Sequence, residues 1–341
     1  MSETPGTHVT HVGDEYTTQR HEHDEAIQAE EATEGRPFEV RSATRGLFTE
    51  LLSDKTGLVA LVFLVAVVGA AVFAPWVAPY GPTEGSLSTS NLVPVWSDGG
   101  SWSHVFGTDQ QGYDVLSRLI YGARTSLFIG AAVVLIAGTF GVVMGLLSGY
   151  RGGRVDRFVM GWVDVQVAFP GLLLALIMIA ILGGSITTVT LVLAFNGWMV
   201  YARMTRGVVL SVKERPFVEA AEMIGCRPRR VIFKHILPNL VSSITTLAVL
   251  EFARILLAEA TLSFLGLGIQ FPDVSLGLVA NNGRDYLFSA PRFIIIPGIA
   301  LSLIVLSVNF VASWLRVAFD PQEREKRFAA NATAGGIKGA A

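Results

Sequence analysis

Six long apolar runs, separated by polar punctuation, dominate the chain: residues 57–78, 126–149, 158–182, 186–202, 240–267 and 293–315. About 20 apolar residues in a helix cross a bilayer core, and helices satisfy their own backbone groups there. The pattern therefore predicts an all-α polytopic membrane protein with six transmembrane helices. The first two runs carry no charged residue, and Pro170 predicts a kink in the third. The fourth run is short; the sixth contains Pro297-Gly298.

Two connections are patterned. In the loop 79–125, Val115, Leu116, Leu119 and Ile120 recur at helical spacing while Asp114 and Arg118 stand four apart, which predicts a short amphipathic helix leading into the second span. Such a helix serves either as a structural lid or as a contact for a delivered substrate or its carrier. The loop 203–239 contains the stretch EAAEMIGCRPRRVIFKHILP. It predicts a helix through 216–226, broken at Gly225 and Pro228, then a second through 229–236 that stops before Pro238. Two short helices joined at a glycine make a knob, with Ala220, Ala221, Met223 and Ile224 as its inserting positions. Physical chemistry leaves two uses open: receiving a push from a soluble partner, or lying against anionic lipid.

Composition agrees with the membrane reading. Of 341 residues, 51% are hydrophobic and 16% charged, and the mean hydropathy is +0.50. Ten of the 28 acidic residues fall in the first 40 positions, against only Arg20 and Arg36, so residues 1–45 are expected to be an acidic, disordered cytoplasmic tail. His21 and His23, which flank Glu22, belong to that solvated tail. No cleavable signal peptide is expected, because the start lacks a basic region followed by an apolar core. Residues 46–322 form the transmembrane domain and 323–341 a cytoplasmic tail. The single cysteine, Cys226, excludes an intrachain disulfide and a cysteine-based metal site.

Lysine and arginine set the orientation. With both termini inside, the cytoplasmic segments hold 21 of the 26, the outer loops hold Arg118, Arg124, Arg284 and Arg292, and Arg254 lies within the fifth span. Charges inside spans are expensive and mark either a translocation route or polar contact between helices. Glu251, Arg254 and Glu259 in the fifth span are candidates for both; Glu251 and Arg254 sit close enough around a helix to pair. Asp164 in the third span reads as a packing or gate residue. Trp198 and Tyr201 lie at interface depth, where an aromatic belt accounts for them.

Glu219-Ala220-Ala221, Gly225, and Leu237-Pro238 twelve and thirteen residues past that glycine resemble the EAA loop of ATP-binding-cassette importer permeases. His235 departs from the general pattern, which has an aliphatic residue there, but HILPN at 235–239 is similar to the peptide-transport branch. GTDQQGYDVLSRLIYGARTSL (107–127), GLLSGYRGGRVDR (145–157), DVQVAFPGLLLAL (164–176), YARMTRGVVLSVKERPFVEAA (201–221), LAEATLSFLGLG (257–268) and GRDYLFSAP (283–291) resemble the C-type permease subunit of dipeptide and oligopeptide importers over roughly 50–322, in the family's order. Tyr113 stands where relatives usually carry arginine, and Ser275-Leu276-Gly277 replaces a usual S-W-G.

The resemblance implies the fold of a type I importer permease in the plasma membrane of a prokaryote, importing dipeptides or oligopeptides. It implies four kinds of partner: a homologous second permease, one or two ATPase subunits, an extracytoplasmic solute-binding protein, and the bilayer. Glu219, Ala220, Ala221, Gly225, Arg229, Leu237 and Pro238 would form the ATPase-coupling loop, and Asp109, Tyr113, Asp114 and Arg118 would face the binding protein. The chain is not expected to be an enzyme: no GxxxxGK[ST] phosphate loop occurs in it, so ATP and magnesium would act in the partner subunits, with no cofactor bound here. A nickel importer of the same family is the alternative substrate reading, with His104 as the only outward histidine. A secondary transporter would predict inverted repeats, which the sequence lacks. An embedded enzyme would need a nucleophile with its base or clustered metal ligands, and the spans contain no histidine.

Overall fold

The computed structural model describes residues 55–319, so the expected acidic tail 1–45 and the tail 323–341 lie outside the described residues. The chain within those limits is all-α, with helices joined by turns and two isolated β-bridges in the loop 79–114.

Helix α1 (Lys55–Val72) is apolar on every side, and only Gly57, Ala60 and Ala71 are buried, as suits a helix packed on one edge and otherwise facing lipid. Helix α2 (Val115–Arg151) merges the expected amphipathic helix and the second span into one 37-residue rod. Asp114 starts it, its side chain accepting from the Ser117 N–H at 2.8 Å, and Gly152 ends it at φ 63°. Asp114 is therefore a cap rather than the partner of Arg118, which pairs instead with Asp109.

The third span is broken, not merely kinked. Helices α3 (Gly153–Val167) and α4 (Gly171–Leu182) meet at 83°, with Pro170 as the residue before α4. Helix α5 (Ile186–Lys213) starts on Ser185, whose hydroxyl accepts from the Thr188 N–H at 3.1 Å. It lies along α2 as the most extensive helix pair among the described residues. The contact is backbone to backbone: a Cβ placed on Gly141 would stand 2.3 Å from the Trp198 carbonyl oxygen, and one on Gly145 2.5 Å from that of Ala202. Small residues four apart let helices approach this closely in a bilayer. Ile129, Val133, Val192, Tyr201 and Ala202 belong to the core around this pair.

Beyond α5 come a short helix α6 (Pro216–Met223), a turn at Pro228–Arg230, a π-helical segment Val231–Ile236, and α7 (Leu237–Phe264). The expected stop before Pro238 does not occur. Leu237 N–H bonds to the Ile232 carbonyl five residues back, and this wide turn lets the chain run on through the proline without the clash a regular turn would impose. Helix α8 (Leu276–Asn282) is short, and α9 (Arg292–Phe319) packs against α7 and α1.

By length and composition, Lys55–Val72, Val115–Arg151, Pro228–Phe264 and Arg292–Arg316 qualify as spans among the described residues, and α3 with α4 makes a fifth if the bent pair counts as one. Helix α5 has the length, but its Thr, Asn, Trp and Tyr residues leave it outside that set. Six spans remain the expectation read from the sequence.

Candidate functional site

The knob is built as a closed unit. Pro216 opens α6, and Val218 and Ala221 on its inner face are buried; Val218 packs with Val209, Val212, Val231, Ile236 and Leu240. Gly225 closes it at φ 79°, with its N–H bonded to the Glu222 carbonyl and the Cys226 N–H reaching back to that of Ala221. That pair of bonds is the Schellman closure, and the half-buried Cys226 packs onto the same cluster. Ala220, Met223 and Ile224 face outward, the last two 86% and 80% exposed, among exposed Glu219, Arg227, Arg229 and Arg230. Of the four expected inserting positions, Ala221 is thus turned into the chain. Leu237 and the exposed Pro238 stand at the start of α7.

Side chains that the pattern did not single out hold the knob to the bundle. Tyr150 at the end of α2 donates to Glu222 Oε1 at 3.1 Å, and Lys213 Nζ bonds to the Tyr150 carbonyl at 3.2 Å while lying over its ring. Arg206 Nη2 reaches Asp156 Oδ2 at 2.7 Å, and this guanidinium holds the Asp156 carboxyl below its ordinary range. Arg229 and Arg151 are among the residues lining a largely apolar cavity of about 680 Å³ between α2, the knob and α7.

The charged residues of the spans separate into three settings. Glu259 is fully buried and accepts from Ser126 of α2 and Ser263, each at 2.7 Å, so it ties α7 to α2. Arg254 bonds through Nε and Nη2 to a single oxygen of Glu251, at 2.8 and 2.5 Å, a pairing that the spacing allows. Asp164 pairs with Arg203 of α5 at 2.9 Å on an exposed surface.

Of the four residues expected to face a binding protein, three point inward. Asp109, Asp114 and Arg118 are 6%, 2% and 4% exposed. Asp109 accepts from the backbone of Gln111 and Tyr113 and from Arg118, which lies under the half-buried Tyr113 ring. His104 bonds to Asp114 and stacks on Tyr80. The outward side chains of this region are instead Leu87, Trp96 and Trp102, with Phe288 fully exposed in the later loop. Among the described residues no three His, Cys, Asp or Glu side chains come together as a metal site.

Residues 141–325 match the family described as binding-protein-dependent transport system inner membrane component, and 42–94 match the N-terminal TM domain of oligopeptide transport permease C. The chain is 40% identical over 272 residues to the dipeptide transport system permease protein of Escherichia coli K12, covering 80% of this chain and 91% of that one. It is 38% identical over 269 residues to the di/tripeptide transport system permease protein of Pseudomonas aeruginosa, covering 79% and 89%. The glutathione transport system permease protein of another Escherichia coli strain is 36% identical over 287 residues, 84% and 93% covered. Among solved structures, the MetNI methionine ABC transporter in inward-facing conformations is similar at a TM-score of 0.50 and 18% identity, over 60% of this chain and 97% of that one. The shared fold is that of an ABC importer permease.

Proposed function

We propose that this chain, which belongs to the family of binding-protein-dependent transport system inner membrane components, is the membrane-spanning subunit of an importer that carries short peptides into the cell. It is a multi-pass protein of the cell membrane. The peptide assignment is supported by relatives named for dipeptides, for di- and tripeptides and for glutathione, itself a tripeptide.

The observation that carries the mechanism is the knob: a closed helical unit that is bonded to the end of α2 through Tyr150, packs on the end of α5 through Val218, and leaves Ala220, Met223 and Ile224 uncovered. Exposed apolar side chains ringed by arginine are the makings of a docking surface, with the apolar contacts giving affinity and the charges orientation. The ATPase subunits dock there, and Glu219, Gly225 and Arg229 set the shape and charge of the contact. ATP and magnesium act in those subunits. A homologous second permease completes the membrane domain, and an extracytoplasmic binding protein delivers peptide to the outer mouth. Closure of the ATPase pair displaces the knob and shifts the permease between inward-open and outward-open states, because the two states offer the engine different contacts.

The test is to tag the chain in its native host, extract it gently and identify what co-purifies. Recovery of a second permease and ATPase subunits, lost on changing Glu219 and Gly225, is the expected outcome. A chain that purifies alone, under conditions that keep a known transporter complex intact, overturns the reading.

A further inference from the structure

Arg254 lies ten residues before Phe264, the end of α7, which at 1.5 Å per residue is about 15 Å along the helix, or half of a hydrocarbon core about 30 Å thick. At that depth its side chain is 53% exposed, while Glu251 beneath it is only 8% exposed. Lipid tails are a poor cover for a guanidinium, so this face of α7 borders water or protein. The bonding leaves a usable edge. Nε and Nη2 both go to one Glu251 oxygen, so Nη1 and the outer hydrogen of Nη2 are without a partner among the described residues. A guanidinium edge of this form takes a carboxylate through two parallel bonds. Tyr201 of α5, fully buried, has a hydroxyl with no hydrogen-bond partner and lies within electrostatic reach of both charges.

We propose that Arg254, fixed by Glu251, is the mid-membrane contact for the terminal carboxylate of the peptide in transit. The inference rests on the reading of the chain as a peptide permease. A carboxylate crossing an apolar region needs a cation along its way, and one already half-neutralised by Glu251 holds it weakly enough to release it. Arginine suits the role because it stays charged at every working pH.

The test uses the assembled transporter in proteoliposomes, with dialanine and its C-terminal amide as substrates. Uptake is measured at saturating binding protein and normalised to each peptide's affinity for that protein. Dialanine uptake by the double variant Glu251→Gln/Arg254→Gln, which leaves no uncompensated charge, should fall by roughly tenfold, the loss of one charge-assisted contact, while uptake of the amide holds. Arg254→Lys should keep part of the preference. In a Cys226→Ser background, Arg254→Cys should react with a water-soluble methanethiosulfonate, more slowly when dialanine is present. Three results overturn the proposal: equal losses for acid and amide, labelling that dialanine does not slow, or a thiol that labels in the isolated chain but is sealed in the complex, which would assign the face to the second permease. If the parent transporter moves neither peptide, the functional reading fails instead, and labelling still reports whether position 254 meets water.

Discussion

Substituting alanine for Gly145 tests the backbone-to-backbone approach of α2 and α5. The added Cβ would lie 2.5 Å from the Ala202 carbonyl oxygen, 2.7 Å from Thr205 Cβ and 3.1 Å from the Arg206 nitrogen. A carbon and a carbonyl oxygen ordinarily stay about 3.3 Å apart or more, so α5 must retreat by about 0.8 Å. The blocking atoms are helix backbone and a Cβ, whose positions no rotamer change can move. Overpacking of this kind costs about 1–3 kcal/mol, whereas alanine gains about 1 kcal/mol over glycine as a helix residue. Gly207, on α5, has nothing within 4 Å of its added Cβ, so Gly207→Ala isolates the helix gain. The two variants therefore differ by the clash alone. Thermal unfolding of the purified chain in detergent, followed by tryptophan fluorescence, should place Gly145→Ala below Gly207→Ala by about 2–12 °C. If Gly145→Ala melts at or above Gly207→Ala, the close approach of α2 and α5 is refuted.

Gly225→Val should leave the chain inserted but abolish ATP-driven peptide uptake, since a φ of 79° strains a β-branched residue by about 1–2 kcal/mol or more; normal uptake at normal expression sinks the proposed role of the turn. Met223→Ser with Ile224→Ser, at positions 86% and 80% exposed, should leave the melting temperature of the isolated chain within about 2 °C while reducing recovery of ATPase subunits in pull-downs. Glu259→Leu removes the acceptor of the Ser126 and Ser263 hydroxyl hydrogens, whose oxygens keep their backbone donors, and should cost about 1–3 kcal/mol for each hydrogen left unsatisfied, read as a lower melting temperature; an unchanged one refutes the tie between α7 and α2.

Long apolar runs were legible because a bilayer demands them. They located α1, α2, α7 and α9, although the register of charge along α2 misled: Asp114 and Arg118 have the spacing of a pair, yet Asp114 is consumed by the helix start and Arg118 by Asp109. Capping competes with pairing for the same carboxylate, and spacing does not say which wins. The π-helical turn before Pro238 was hidden for a similar reason, because a proline marks strain without specifying whether the helix stops or widens. The exposed tip of the knob followed from its sequence, but its fastening through Tyr150 and Lys213 joins residues 63 and 72 positions apart. Gly141, Gly145 and Gly149 did carry a signal, small residues recurring every four, that the hydropathy pattern submerged.

The 37 residues of α2 make a rod about 55 Å long. Its C-terminal end is bonded to the knob through Tyr150, its N-terminal half to α7 through Ser126, and α5 is clamped along it by backbone contact. Such a rod is a lever. With a fulcrum near its middle, a displacement of about 2 Å at the knob end returns as about 2 Å in the opposite direction at the far end, without bending and without a relay of separate steps. Opening at one end and closing at the other are then a single stroke.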